Sequence, residues 1–468
     1  MELLFGVSNF GKIKHAEVTL GDFVLFVGDN NSGKTLMMQL LYGVLIEVDH
    51  ILTVKGIETQ GENKFVYGME WFRNMEARVN DYLAVNKRKI VRGIFHKDFE
   101  IGELYVRLVD MNETYICEMR EYEYDEIGGE KGDIATKTSG MQINIYMADV
   151  NGNKQIRKSR LLFHYHPDAA TLKRVLTTQI WKMLLFFGKT AGVVNSSSLF
   201  LPASRTGLQL LSKYFFAERD RKTVNEISIL AFEDEYDKAN KETAENELGL
   251  TMPVYDFLQF LLRYNQRSEM KQWDKELIRF IERNLIDGQV KHLGDEIYYH
   301  PDALTDDMED IPIYLASSLV NEITPIIKAL SGKNNYRYIF YDEVETCLHP
   351  LKQGEMARLI IRLVNSGRRM IVSTHSDTMA SKLNNLLLLS FSEDSEEIRG
   401  KKLKDLGLCQ DDLLSASKVH VYQFVNQKDG SSHVEELKFQ TMPYIGYDFN
   451  LFMRNLDELY HETDIILK

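Results

Sequence analysis

Gly28-Asp29-Asn30-Asn31-Ser32-Gly33-Lys34-Thr35 sets two glycines, a lysine and a hydroxyl at the spacing G-x-x-x-x-G-K-[ST]. These residue types suit phosphate binding. The glycines let backbone N–H groups approach a phosphate, Lys34 reaches the β and γ oxygens, and Thr35 offers a hydroxyl to Mg2+. Asn30, Asn31, Ser32 and Leu36 belong to the same cradle, where the start of a helix favours negative charge. Far along the chain, Tyr338-Ile339-Phe340-Tyr341-Asp342-Glu343 is an apolar run ending in two acids. In such a Walker B segment Asp342 holds Mg2+, directly or through water, while Glu343 orients and polarises the attacking water. Met370-Ile371-Val372-Ser373-Thr374-His375-Ser376 is a third apolar run, ending in small hydroxyl residues and a ring able to sense the γ-phosphate. The expected chemistry is ATP hydrolysis with Mg2+, with Glu343, Lys34 and His375 as catalytic groups and Thr35 and Asp342 as metal ligands.

Those residues need elements to carry them. Phe23 to Val27 is a continuous apolar run of the kind buried on both faces of a sheet, and Glu2 to Val7 and Glu17 to Leu20 read as strands before it. From Lys34, the spacing of Leu36, Met37, Leu40, Leu41, Val44 and Leu45 predicts a helix packed on that sheet. From about Phe65 to His166, short aromatic and β-branched runs separated by Gly, Asn and Asp predict an antiparallel β lobe. Leu172 to Gly188 reads as helix, Ser198 to Pro202 as strand, and Thr206 to Ile286 as mostly helix, broken near Gly249 to Pro253. Further strands are expected at Gln289 to Leu293, Glu296 to His300, Arg337 to Tyr341, Met370 to Ser373 and Asn385 to Phe391, with helices from Ser318, Pro350 and Thr378. Such alternation predicts an α/β fold with a mostly parallel sheet closed from both ends of the chain. Three parts are expected: 1–190, half of a nucleotide-binding head with the β lobe; 191–290, a helical insertion suited to interactions; and 291–468, the other half.

Composition narrows the partners. The chain has 468 residues and a net charge of −13, which speaks against a surface that wraps nucleic acid throughout. Basic runs at Asn86 to Arg92 and Lys154 to Arg160 read as solvated faces and leave direct nucleic-acid contact open. Cys117, Cys347 and Cys409 are odd in number and lack metal-ligand spacing, so neither disulfides nor zinc are expected. With no basic n-region and no apolar run near the ~18 residues of a membrane span, a cytoplasmic protein without membrane contact is expected.

GDNNSGKT, YDEVETCLHP and VSTHSD, in that order, resemble the ATPase heads of the ABC superfamily, and within it the OLD-like and RecF-like branch. The opening VSNFGKIKHAEVTLGDFVLFVGDNNSGKT resembles that branch's start, where a Phe-bearing hairpin helps seat adenine. It makes Phe10 and Lys12 adenine-side candidates, with core and solvent as the alternative. The resemblance also implies a signature segment given by an opposing subunit. Tyr314 to Glu322 stands where it is expected, but Leu319 replaces a common Gly, so contact in trans rests on Ser317 and Ser318 and the amides behind them. An ordinary Ser N-cap is the alternative. Glu345 to Pro350 resembles the LHP form of the D-loop, which brings His349 to its twin. Leu201 to Gly207 resembles a motif of OLD-like ATPases in which Arg205 is a nucleotide arginine, an interface arginine or a turn residue pinned by a carboxylate. No Q-loop Gln is placed: Gln39 falls inside the first helix, and Gln60 is only a guess.

On this resemblance the fold is an ABC-type ATPase head, a mixed sheet with helices and an antiparallel β lobe, plus an inserted helical region. Two ATP molecules would join two heads into a homo-oligomer. Lys382 to Lys468 is too short for the TOPRIM domain of OLD nucleases and shows no ordered Glu and Asp-x-Asp set. Its later part reads as two strands joined at Lys428-Asp429-Gly430 and then a helix, and resembles the C-termini of stand-alone ATPases in bacterial anti-phage systems; among these, size and the lack of a TOPRIM segment resemble the PARIS type most. That implies a slow, regulatory ATPase acting as sensor or scaffold, with a separate TOPRIM-type nuclease as effector and a phage-encoded protein as trigger. The alternative is a RecF- or SMC-like DNA-repair or chromosome-handling ATPase, which needs a basic DNA-facing surface. A third reading is a scaffold that ATP stabilises and that barely hydrolyses it.

Overall fold

The computed structural model describes residues 2–54, 64–109, 114–126, 136–148, 154–185, 196–212, 249–293, 296–303, 309–415, 419–440, 446–449, 460–462 and 465–466. Its strands are β1 (Glu2–Phe10), β2 (Ile13–Leu20), β3 (Phe23–Gly28), β4 (Lys64–Tyr67), β5 (Leu104–Val109), β6 (Thr114–Glu126), β7 (Thr136–Ala148), β8 (Lys154–Phe163), β9 (Ser196–Leu201), β10 (Gly288–Leu293), β11 (Glu296–Pro301), β12 (Ile311–Pro312), β13 (Asn335–Tyr341), β14 (Arg369–Thr374), β15 (Val419–Asn426) and β16 (Ser432–Leu437). The helices are α1 (Lys34–Val54), α2 (Met69–Phe95), α3 (Ala169–Leu185), α4 (Met252–Leu262), α5 (Gln272–Ile281), α6 (Ser318–Ser331), α7 (Pro350–Asn365), α8 (Asp377–Phe391) and α9 (Glu396–Asp405).

A nine-stranded mixed sheet, in the order β5-β1-β2-β16-β15-β3-β14-β13-β9, runs through the molecule. β15, β3, β14, β13 and β9 are parallel neighbours, while β5, β1 and β2 pair antiparallel. The sheet is covered on both faces, and this explains its sequence. Along β3, Val24 and Phe26 enter one core with α1, α2 and the β lobe, while Phe23, Leu25 and Val27 enter a second core with α4 to α8. β13 divides likewise, with Tyr338 and Phe340 on the first side and Ile339 and Tyr341 on the second. A strand buried on both faces must be apolar at every position, so no alternation is left to read.

Three expectations are corrected. The β lobe is a four-stranded antiparallel sheet, β4-β6-β7-β8, but its expected span also contains the 27-residue helix α2. There Phe72, Met75, Val79, Leu83, Ile90 and Ile94 form a buried stripe at helical spacing. β5, also within that span, pairs with β1 in the main sheet. Second, β10 and β11 do not extend the parallel sheet; with β12 they make a separate antiparallel one. Third, 385–391 is the end of α8 rather than a strand: Ser376 caps the helix by accepting from the Met379 amide, and the Leu run continues it. Gln60, residues 213–248 of the expected helical stretch, and residues 450–459 of the segment where a C-terminal helix is expected lie outside the described residues. Among the described residues no helix is long and apolar enough to cross a membrane.

Candidate functional site

β14 lies between β3 and β13, all three parallel, so their C-terminal ends meet at one edge of the sheet. Such an edge is where α/β sheets place their ligands. β3 runs into the loop from Gly28, β13 into Asp342 and Glu343, and β14 into His375. Parts of the chain 307 positions apart come into contact here: Thr35 Oγ1 donates to Asp342 Oδ2 at 2.8 Å.

The loop is fitted closely to its neighbours. Gly28 has φ +140°, and a Cβ there would lie 2.1 Å from the carbonyl oxygen of Phe424 in β15. Only glycine permits that approach. Beside it Asn426 donates from its backbone N–H to Asp29 Oδ2 (3.2 Å) and from Nδ2 to Asn30 O (3.0 Å). Lys12 Nζ donates to Asn31 O at 3.2 Å. Asn31, with φ 57°, takes the left-handed region that asparagine tolerates. Ser32 is buried and donates to Asp29 O. Gly33 follows with φ +97°, and Leu36 lies in the first turn of α1, packed against the first core.

Lys34 is 3% exposed. Its ammonium donates to Gly28 O (2.9 Å), Asp29 O (2.7 Å) and Ser32 Oγ (3.3 Å). Burial pulls its pKa down to about 8, against the opposing pull of Asp342, Glu345, Asp29 and Glu343. His375 Nδ1 lies 3.1 Å from the same ammonium, and its Nε2 lies 3.4 Å from Glu343 Oε1. Nδ1 also lies 3.1 Å from Gly28 O, so the position of the ring proton decides whether Nδ1 accepts from Lys34 or donates to that carbonyl.

The two acids differ in setting. Asp342 is 1% exposed, and burial raises its pKa, while hydrogen bonds from Ser373 and Thr35 work against the rise. Glu343 is partly exposed, and its hydrogen bond with His375 is the main cause of its lowered pKa. Ser373, at the end of β14, serves both acids: its hydroxyl donates to Asp342 Oδ1 (2.5 Å) and accepts from the Glu343 backbone N–H (2.8 Å). Glu345 Oε1 accepts from the backbone N–H of His375 at 2.6 Å and so ties the start of the next turn to β14. Both lie in segments that the sequence marks, but type and spacing gave neither a role of its own; each matters through a contact across strands.

Other candidates fall elsewhere. Ser317 caps α6, its hydroxyl accepting from the Val320 amide at 3.4 Å. Ser317 and Ser318 are both exposed, and their polar contacts among the described residues run to Val320, Asn321 and Thr206, not to the loop. His349 is exposed and caps α7. Phe10 is buried against Phe95 and Phe99 with ring centroids 5.6 and 5.8 Å away, which places it in the core. Arg205 is enclosed beneath Asp342 and Glu343.

Whether these residues suit Mg2+ can be judged from the donor set. Mg2+ is a hard cation that takes one or two protein oxygens and fills its other positions with phosphate oxygens and water. The hydroxyl of Thr35 beside the buried carboxylate of Asp342 is such a pair. Among the described residues no cluster of three or more His, Cys, Asp or Glu forms an all-protein metal cage.

A family model described as "AAA ATPase domain" matches residues 5–380. No curated protein matches the chain. Among solved structures, the SmcHead bound to the C-winged helix domain of ScpA is similar with a TM-score of 0.33 and 10% identity, covering 94% of this chain and 98% of that one. The Smc head domain with an extended coiled coil, bound to the C-terminal domain of ScpA from Pyrococcus furiosus, gives a TM-score of 0.31 at 11% identity over 98% of both chains. The SMC head domain from Thermotoga maritima gives 0.30 at 13% identity over 94% of this chain and 100% of that one.

Proposed function

The chain belongs to the AAA ATPase domain family, and from that premise we propose that it binds ATP with Mg2+ where β3, β14 and β13 end and hydrolyses it. The observation that carries this is the 2.8 Å bond joining Thr35 to Asp342. It unites the end of the phosphate loop with the end of an acid-tipped strand.

The amides from Gly28 to Leu36, those of Asn30, Asn31, Ser32 and Gly33 among them, cradle the phosphates, and Lys34 turns its ammonium from the loop carbonyls to the phosphate oxygens. Thr35 and Asp342 hold Mg2+, which when bound neutralises charge on the β and γ phosphates. Glu343 is the general base. Its lowered pKa keeps it ionised at neutral pH, and His375, in contact with both Glu343 and Lys34, reads the terminal phosphate. The test is ATP binding and turnover in two variants. Lys34→Ala loses binding, whereas Glu343→Gln keeps binding and loses turnover; full turnover by Glu343→Gln overturns the assignment.

At the level of the assembly, the reading is an ABC-type head of the OLD-like branch. Two such heads would close on two ATP molecules, with Ser317 and Ser318 of each facing the loop of the other. In this scheme 1–190 and 291–468 form the head together with β9, which pairs with β13 in the main sheet, and the remainder of 191–290 is the segment that meets other proteins. The biological reading, supported by the motif order and the chain's later segment, is the sensor or scaffold subunit of a PARIS-type anti-phage complex, holding a separate TOPRIM-type nuclease until a phage protein triggers release. Co-purification with a TOPRIM-type nuclease encoded beside it, lost in Lys34→Ala, is the expected result. Tight, salt-sensitive DNA binding by the chain alone would instead favour the DNA-repair reading.

A further inference from the structure

Arg205 heads the largest fully buried side chains among the described residues, with an exposure of 0%. A guanidinium so enclosed meets neither a phosphate nor another subunit, which removes two of the three roles that the sequence leaves open. What it meets is the backbone of the acid pair. Its Nη1 donates to Asp342 O (2.6 Å) and Pro202 O (2.8 Å), and its Nη2 donates to Glu343 O at 3.1 Å. The ring of Tyr341 lies 4.6 Å from its centre. Nη2 also pairs with Glu322 Oε1 at 2.5 Å, and Glu322 is itself buried.

Glu322 belongs to α6, in the turn after Ser317 and Ser318. Its second oxygen accepts from Thr206 Oγ1 at 2.6 Å. One planar group therefore joins the end of β13 to the start of α6.

Glu343 needs such a hold. Its φ is +44°, in the left-handed region, where a glutamate stays only if its surroundings fix it. Ser373 fixes its N–H at 2.8 Å, and Arg205 and Thr346 Oγ1 (2.8 Å) fix its carbonyl. A buried ion pair is weak support for a purely stabilising role, since apolar side chains of similar size fill such a space at least as well. Bonding two successive carbonyls while pairing with a carboxylate needs the two ends of a planar guanidinium, which lysine lacks.

We propose that Arg205 is a positioning residue that aims the Glu343 carboxylate and, through Glu322, sets the start of α6, so that one side chain coordinates the two ends of the site. The proposal rests on the ATPase reading above for the role of Glu343. ATP turnover and ATP affinity are measured for the full chain as wild type, Arg205→Lys, Glu322→Gln, Glu343→Gln and the Arg205→Lys/Glu343→Gln double variant. Amide hydrogen exchange over 318–322 is followed with and without ATP and Mg2+. Arg205→Lys lowers kcat by about tenfold or more while ATP affinity stays within about threefold, and it adds nothing to the loss when the residual turnover left by Glu343→Gln is measured with and without it. In wild type the nucleotide alters exchange over 318–322; in Arg205→Lys and Glu322→Gln that response is lost.

Multiplying kcat losses, or a fall in ATP affinity as large as the fall in kcat, overturns the proposal. Should Arg205→Lys fail to fold, Glu322→Gln decides: an unchanged nucleotide response over 318–322 refutes the link. A wild-type chain that binds ATP without turnover refutes the hydrolytic reading, while the exchange comparison still judges the coupling.

Discussion

Lys34 lies among the carbonyl oxygens of its own loop, and burial has already brought its pKa down to about 8. Binding a triphosphate needs the ammonium, so affinity is full below that value and falls as pH rises through it, with kcat/KM following because it reports the free enzyme. We predict that ATP affinity drops by about tenfold per pH unit above about 8, read by titrating a fluorescent ATP analogue from pH 7 to pH 10. Lys34→Arg, charged throughout, should bind more weakly and show no such fall. An identical inflection in both variants would place the titration on another group. Glu343 contributes a second limb, on the acid side: its pKa is lowered chiefly by the hydrogen bond with His375. Turnover should therefore hold down to a more acid pH in wild type than in His375→Ala, with the lower limb of the kcat profile moving up in the variant. At this scale the types and spacing of Lys34, Thr35, Asp342 and Glu343 carried the reading, because that chemistry tolerates few substitutes. The segments of Ser373 and Glu345 were legible but their contacts were not, since a serine and a glutamate acquire their meaning only from what stands across from them.

Between elements, the close approach of α1 and α2 shows how a helix position can reverse the usual ranking of residues. Gly43 lies within α1, and a Cβ there would come 2.3 Å from the Ile94 side chain of α2. Gly93, also helical, would meet nothing within 4 Å. Helix propensity favours alanine over glycine by roughly 0.5–1 kcal/mol at either position, but only one has room. We predict that Gly93→Ala raises the denaturation midpoint modestly, and that Gly43→Ala destabilises by about 1–3 kcal/mol as the helices are forced apart, both measured by urea unfolding. Stabilisation by Gly43→Ala would mean that the two helices are less closely packed than described. The same pair of helices marks where reading the sequence succeeded and failed. α1 was legible because it starts at a phosphate loop and repeats apolar residues at one spacing. α2 was obscured by its neighbours: GIFHKDFEIGELYVRLV straddles its end and β5, and the β-rich text after it outweighed the stripe from Phe72 to Ile94. The Leu run at the end of α8 misled for a different reason. A short apolar stretch carries no period, and only the cap at Ser376, well upstream, decides that the chain is still helical. Nothing in β10 or β11 signals that they form their own sheet, because strand pairing is a long-range choice.

For the whole molecule the decisive feature is where the exposed groups lie. Ser317 and Ser318 stand exposed at the start of α6 and make no bond to the loop of their own chain among the described residues. Just before them, Tyr314 and Leu315 are each 67% exposed, an adjacent apolar pair of the kind that subunit contacts cover. If the helix start of one chain completes the loop of another, each site is composite, and the two chains can be damaged separately. Lys34→Ala destroys the phosphate end and Ser318→Arg the opposing end, so each variant alone should hydrolyse nothing, although Ser318→Arg still binds nucleotide as a monomer. Mixed in equal amounts, half of all pairs are hybrid, and each hybrid has one intact site of two, giving roughly a quarter of wild-type turnover if sites act independently. Glu343→Gln, which binds without turning over, should associate in ATP and Mg2+ and not in ADP, as seen by mass photometry. Silence in the mixture together with an unassociated Glu343→Gln chain would mean that the site is complete within one subunit. Ser317 is then an ordinary helix cap, and Tyr314 and Leu315 serve a partner that is not a second copy of this chain.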